Sequence, residues 1–478
     1  MTVVQRLAVP VLVTALSGLL MFSAMGLGGT VATTPGIWWI VALLAPVPVL
    51  WFAFRASKGW AAALVAFAAQ AIGGCNLLPA YAGTLPLPSL LLGIILPALS
   101  LALAALGARF VMQRLTPITA VFAFAFLATG FDYLLALGPD GATLSPAYAQ
   151  VEMPWMIQSA ALFGLWAITF VVALFAAAAA MYGVTRQIVF AAVAAGVLVL
   201  NLGYGAWRIA DAPQTPLIGV GLAADDDLVP LRFKEDPASA LTVVKAYAEA
   251  GRALAQAKTK LIVFPERVAV LKPEWRGAVN AELATLAQAG SAVVIAGFDD
   301  RSAPRRNVAL VYFAGGAEPQ RYVKRHLVPG LEAIFVPGDA SFMTSDGLGV
   351  AICKDMDFPT LVREDGLFAP TLYAVPAWDF GQDRIWHARL AILRGVENGF
   401  AVARAANNGL LTVSDAYGRV VAVKATAGGG MVTVRADVAR GPGTTDYARI
   451  GDGLAWIALA MSVLLLGVAA AARKRPQN

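Results

Sequence analysis

Apolar positions along this chain fall into seven long runs, then into short runs broken by polar stretches, then into one last long run. The long runs cover 7–29, 36–54, 59–78, 85–108, 116–137, 157–183, 187–207 and 453–472. Each matches the roughly 20 residues that cross a bilayer core as a helix. Between the seventh and eighth runs the pattern changes. TKLIVF (259–264), AVVIAGF (292–298), NVALVYF (307–313), GVAIC (349–353), TLYAV (371–375) and FAVARA (400–405) read as buried strands. Residues 238–257 and 382–398 read as helices, and LLTVSDAYGRVVAV (410–423) reads as a hairpin turning at Asp415–Gly418. Strands alternating with helices predict a layered α/β domain. Three segments result: helices of a membrane domain over 1–208, an α/β domain over 209–451, and a final helix with a basic tail over 452–478.

Composition agrees with that division. The chain is 59% hydrophobic and 14% charged, with mean hydropathy +0.69, against about 45–50% and about 25% for an ordinary soluble domain. The first run lacks a small-x-small cleavage site and is followed at once by further runs, so it reads as a span and not as a cleaved signal. Basic residues occupy every second connection: Arg6, Arg55 with Lys58, Arg109 with Arg114, Arg186, and Arg473, Lys474 and Arg475. The connections 30–35, 79–84 and 138–156 hold no Lys or Arg. This alternation predicts an inside N-terminus and places 209–451 outside. The net charge of +6 partly reflects these anchors. No basic stripe with interleaved aromatics accompanies it, so nucleic acid is not an expected partner. Asp132 is the main ionisable residue within the spans, and a transporter ordinarily needs more. Connection 138–156, with Tyr148 and Trp155, reads either as an aromatic belt or as part of a site mouth.

Candidate chemistry lies in the α/β segment. Cys353 ends an apolar strand, where a thiol can be presented, and a thiol attacks only as thiolate. Glu266 follows the strand at 259–264, where desolvation raises a carboxyl pKa toward that of a general base. Lys324 stands in a short basic run. Each taken alone also fits a solvated side chain. His326 and His387 leave a Cys–His pairing open. Cys75, in an apolar run, reads as a packing residue. The acidic run Asp225, Asp226, Asp227 reads as a solvated loop, with a cation site as its alternative.

Taken in order, FPE at 264–266, KRHLVP at 324–329 with Glu332 after it, IC at 352–353, and RAANNG at 404–409 followed by D-x-x-G-R at 415–419 resemble the nitrilase (carbon–nitrogen hydrolase) superfamily. With the spans and the segment 145–166, nearly the whole chain resembles the apolipoprotein N-acyltransferase family. The resemblance implies an α-β-β-α sandwich on an eight-helix membrane domain in the bacterial inner membrane, with the sandwich on the periplasmic side. It implies Cys353 as nucleophile, Glu266 as general base, Lys324 as oxyanion stabiliser and Glu332 as a supporting carboxylate. The implied reaction moves a fatty acyl group from a phospholipid, through a cysteine thioester, to the α-amine of an apolipoprotein's diacylglyceryl-cysteine. No cofactor or metal is implied, and a monomer is expected. Where the family carries an aromatic residue and a glutamate after its cysteine, this chain has Lys354 and Asp355. Asp355 is expected to keep the carboxylate role, and Lys354 to add a cation beside the thiol. Residues 217–236 hold no tryptophan, while 374–383 retain Trp378; Trp378, Tyr148 and Trp155 are the candidate substrate-binding residues. A membrane-anchored amidase or hydrolase using water, an acyltransferase with another acceptor, and a silent scaffold are the alternatives.

Overall fold

Among the described residues, eight helices are long and apolar enough to cross a membrane: Ala8–Met25, Trp38–Arg55, Gly59–Tyr81, Leu87–Arg114, Pro117–Ala136, Leu165–Thr185, Ile188–Ala210 and Gly453–Ala471. The computed structural model describes residues 3–27, 30–316 and 318–472. The basic tail residues Arg473, Lys474 and Arg475 lie outside the described residues. This is the architecture of a multi-pass membrane protein. The sixth span begins at Leu165 and not near 157. Gly164, at φ +69°, ends a short helix over Ala160–Phe163 and starts the long one, and residues 154–157 form a separate 3-10 turn.

The spans and the connecting segments between them form one compact unit, with the α/β segment as another. Small residues such as Ala104, Ala105, Ala108, Ala176 and Ala177 fill the interior of the membrane unit, the composition that lets helices approach closely in lipid. Polar side chains inside it are paired. Asp132 accepts from Ser145 Oγ and Thr169 Oγ1, both at 2.7 Å. Connection 138–156 is folded down rather than loose: Glu152 accepts from the Thr30 and Trp38 backbone N–H groups, and Tyr148 is fully buried. Trp155 is partly exposed. A belt reading therefore does not describe Tyr148, whose ring is interior.

In the α/β unit the strands run β1 (Leu217–Asp225), β2 (Leu261–Val263), β3 (Ala269–Leu271), β4 (Val293–Asp300), β5 (Arg306–Tyr312), β6 (Gln320–Val323), β7 (Phe342–Met343), β8 (Leu348–Val350), β9 (Leu372–Trp378), β10 (Ala401–Asn407), β11 (Leu410–Ser414), β12 (Val420–Ala425) and β13 (Met431–Ala439). They form a seven-stranded sheet ordered β13-β1-β2-β4-β5-β6, with β3 beside β4, and a six-stranded sheet ordered β12-β11-β10-β9-β8-β7. Four helices lie on these sheets: α1 (Pro237–Gln256), α2 (Pro273–Gly290), α3 (Pro359–Gly366) and α4 (Arg384–Asn398). The parallel pairs β1–β2, β2–β4, β8–β9 and β9–β10 each need a crossover, and these helices supply it. The start of α1 is fixed by Asp236, whose carboxylate accepts from Ser239 N at 2.7 Å, with Pro237 at the first helical position.

Strand alternation builds the layers. Val220, Leu222, Leu261 and Val263 meet Val350, Leu372, Ala401 and Ala403 in a core between the sheets. The intervening residues Ala223, Ile262 and Phe264 pack against α1 and α2. Val375, Phe400 and Val402 do the same with α3 and α4. The result is an α-β-β-α sandwich. The acidic run at the end of β1 is solvated only in part: Asp226 is half-buried and Asp227 exposed. Asp225 is buried and accepts from Asp227 N at 2.9 Å. Asp226 accepts from Asn408 N at 2.7 Å and Asp227 from Gly430 N at 2.8 Å. Their oxygens tie the β10–β11 and β12–β13 turns to the end of β1.

Candidate active site

The site lies at strand ends drawn from both sheets. Glu266 stands in the short link between β2 and β3. Its N–H donates to Ala377 O at 3.2 Å, near the end of β9 in the other sheet. Gly297 in β4 is what allows that link to pass: a Cβ there would stand 2.6 Å from Glu266 Cα and 2.7 Å from Pro265 O. Lys324 follows β6, and its N–H donates to Asn307 O at 2.9 Å. The strand before Cys353 stops at Val350, three residues short of the sequence expectation. Cys353 opens a 3-10 turn over Cys353–Asp357 with φ +42°. That left-handed conformation costs a residue with a Cβ roughly 1–2 kcal/mol, and such outliers concentrate at functional sites. Arg267, directly after Glu266, is a second one at φ +52°.

Glu266 and Lys324 are not solvated side chains; both are buried, as is Glu332. Lys324 Nζ donates to Glu266 Oε1 and to Glu332 Oε2, each at 2.8 Å. Asn307 Nδ2 donates to Glu266 Oε1 at 2.6 Å and to Glu332 Oε1 at 2.7 Å. Val328 N adds a bond to Glu332 at 2.8 Å. Burial pulls the Lys324 amine down, but the two carboxylates more than offset it and hold it well above the ordinary lysine range. Burial pushes Glu332 up, and Lys324 with the surrounding donors brings it below the usual carboxylate range. This is one cation clamped by two anions, with Asn307 as the strut.

The half-buried Cys353 thiol donates to Trp378 O at 3.5 Å. Burial, and then the Glu266 carboxylate, push it well above the ordinary thiol range, against the pull of Lys324 and Arg404. The thiol, the acid and the amine therefore share one electrostatic locus, with the sulfur protonated at rest. A second cation acting on the sulfur is Arg404. Arg404, on β10, is buried and donates with both terminal nitrogens to Asp379, one bond at 2.9 Å. Lys354 pairs with Asp357 at 3.6 Å and lies over Phe358.

Asp355, in the cysteine turn, is fully buried. Its carboxylate accepts from Ile352 N (3.0 Å), Arg325 N (3.1 Å), His326 N (2.7 Å) and Tyr322 Oη (2.7 Å). It fastens the cysteine turn to the segment that carries Lys324. The histidines stand elsewhere: His326 stacks on Phe358 with centroids 3.6 Å apart, and His387 meets Asp383 at 3.0 Å. Asn307, Arg404 and Asp379 escaped the sequence reading. The only local signal was a polar residue opening or ending an otherwise apolar strand. Trp378 is at the site through its carbonyl. Tyr148 and Trp155 belong to the membrane unit.

Residues 25–178 match the family model of the apolipoprotein N-acyltransferase N-terminal domain, and residues 231–439 that of the carbon-nitrogen hydrolases. The chain is 27% identical over 374 residues to an apolipoprotein N-acyltransferase of Bradyrhizobium diazoefficiens, covering 69% of each protein. It is 29% identical over 397 residues to one of Allorhizobium ampelinum, covering 71% of each. Among solved structures, an amidase of the nitrilase superfamily from Nesterenkonia is 20% identical, with 50% of this chain and 96% of that one covered and a TM-score of 0.41.

Proposed function

Because this chain belongs to the apolipoprotein N-acyltransferase family of carbon–nitrogen hydrolases, we propose that it moves a fatty acyl group from a membrane phospholipid to the N-terminal amine of a diacylglyceryl-modified protein, with Cys353, Glu266 and Lys324 as the reacting groups. The observation that carries the assignment of residues is the Lys324 amine held 2.8 Å from each of Glu266 and Glu332, with Glu266 N and Cys353 Sγ donating to adjacent carbonyls of β9, those of Ala377 and Trp378.

Cys353 Sγ attacks an ester carbonyl of the phospholipid as Glu266 accepts the thiol proton. A thiol held protonated by burial needs such a base at the moment of attack. Negative charge then develops on the carbonyl oxygen beside the fixed Lys324 ammonium, which is prepared for it by Glu332 and Asn307. The C–O bond breaks, Glu266 returns the proton to the departing alkoxide, and a thioester and a lysophospholipid result. In the second half the α-amine attacks the thioester and gives a proton to Glu266. The C–S bond breaks, the sulfur recovers its proton, and an amide leaves. The α/β segment 209–451 is the catalytic domain, and the alternation of basic residues between spans supports its placement outside the bacterial inner membrane.

The test is intact mass of the purified full chain incubated with phospholipid. A long-chain acyl adduct on the wild type, absent from Cys353→Ala and discharged by a diacylglyceryl-cysteine peptide, is the expected result. Wild type that gains no adduct from any phospholipid refutes the reading.

A further inference from the structure

Buried cations at this site come in two kinds. Lys324 is saturated by two carboxylates and Arg404 by Asp379. Arg232 is not saturated. It lies in the 3-10 turn Leu231–Phe233 after β1 and is 2% exposed. Its Nε, Nη1 and Nη2 are all buried without a hydrogen-bond partner among the described residues. Its guanidinium rests 3.2 Å from the centroid of the Trp378 ring and 4.6 Å from that of Phe233. Trp378 Nε1 and Arg267 Nε are buried and unpartnered as well. Arg267 itself leans on Phe335 at 4.9 Å and meets Asp299 at 3.6 Å. Arg232 thus leaves three donor nitrogens open, Trp378 and Arg267, which neighbour it through the Trp378 and Phe233 rings, each leave one more, and none of these groups can accept. An unpaired buried guanidinium is costly, and a stacked cation held open is a shape that binds an oxyanion bidentately.

The same tryptophan that carries Arg232 on its ring accepts the Cys353 thiol on its carbonyl. One residue, Trp378, thus joins the guanidinium to the sulfur. In a glycerophospholipid the phosphodiester likewise lies only a few covalent bonds from the ester carbonyl. We propose that Arg232, laid on Trp378, binds the phosphodiester oxygens of the acyl donor while Cys353 attacks an ester of the same molecule. The proposal rests on the acyl-transfer reading above and adds the group by which the donor is held. The acceptor's diacylglyceryl-cysteine carries no phosphate, so Arg232 serves the first half-reaction alone. Burial, and then the neighbouring Arg267, pull the Arg232 guanidinium down to about 9 despite Glu266; an incoming phosphodiester reverses that penalty.

The experiment uses the full-length chain and two acyl donors of equal chain length: a phosphatidylglycerol, and a p-nitrophenyl ester that has no phosphate. Single-turnover formation of the acyl-Cys353 adduct is followed by intact mass. Arg232→Gln is expected to lower the ratio of phospholipid rate to p-nitrophenyl ester rate about tenfold or more. Arg232→Lys, which keeps the charge and loses the planar fork, recovers part of it. Thermal melting of both variants reports folding separately. An unchanged ratio, with both donors slowed equally or neither slowed, overturns the proposal and leaves acyl transfer standing. Inorganic phosphate is expected to slow wild-type acylation by the phospholipid only. If it slows both donors alike, the place is a free-phosphate site and the proposal fails. If neither donor acylates the wild type, the acyl-transfer reading itself has failed.

Discussion

Replacing Lys324 by Met separates the chemistry of the site from its electrostatics. The side chain keeps its length and loses the charge that two buried carboxylates share at 2.8 Å each. Removing one partner of a buried ion cluster typically costs about 3–5 kcal/mol, because the others remain buried and unpaired. For a domain of this size that is roughly 2–4 °C per kcal/mol, so a fall in melting temperature on the order of 10 °C is expected. The pH dependence carries the sharper test. In the variant Glu266 and Glu332 face each other through Asn307 with no cation, so one of them is pushed above the unperturbed glutamate value of about 4.3. An acid raised in the folded state contributes stability below its unfolded value and loses it as pH climbs through the raised one. In the wild type Glu332 is depressed, so its stabilisation is present above the unfolded value and is lost only as pH falls through the depressed one. Both effects run the same way: the deficit of the variant is larger at about pH 8 than at about pH 5. Differential scanning fluorimetry of the detergent-solubilised protein at the two pH values measures it. A deficit that is equal at both, or larger in acid, refutes the clamp of one amine by two ionised carboxylates.

Two further outcomes follow from the geometry. Alkylation of Cys353 by iodoacetamide, read by mass, should keep rising with pH through the ordinary thiol range near about 8.5, since burial and Glu266 hold the thiol protonated; a plateau near neutrality contradicts this. Gly297→Ala drives a methyl group toward the Glu266 and Pro265 backbone, at a cost of about 1–3 kcal/mol, and should slow adduct formation about tenfold or more through displacement of the Glu266 link. Wild-type acylation by that variant would show that β4 does not set the position of Glu266.

How much was legible in the sequence depended on how local the determining physics is. The spans stood out because lipid demands about 20 apolar residues whatever the neighbours are. Strands β2, β4, β5, β9 and β10 were legible because they are buried on both faces and so read as continuous apolar runs. Strand β1 did not read as a strand, since LIGVGLAAD is rich in Gly and Ala and ends in acids whose partners lie in distant turns. Strand β13 alternates outward Arg435 and Asp437 with inward Val434, Ala436 and Val438, and its pairing with β1 is invisible locally. Helix α2 is Ala-rich with a thin apolar stripe. At the site, Glu266 and Cys353 were marked by their place at strand ends and Lys324 by the string KRHLVP. Asn307, Arg404, Asp379 and Arg232 acquire meaning only from side chains brought over by other strands. Lys354, next to Cys353 in the chain, pairs with Asp357 across the 3-10 turn, a contact that adjacency in the chain does not reveal.

Glu266 and Lys324 hang from one sheet, Cys353, Asp379 and Arg404 from the other, and Asp355 is the stitch between them. Turnover is therefore a gauge of how tightly the two halves of the sandwich stay pressed together. On the proposed roles of Cys353 and Glu266, warming or a cavity in the apolar filling between them parts the two side chains by a fraction of an ångström, and the enzyme falls silent while its helices and strands are all still in place.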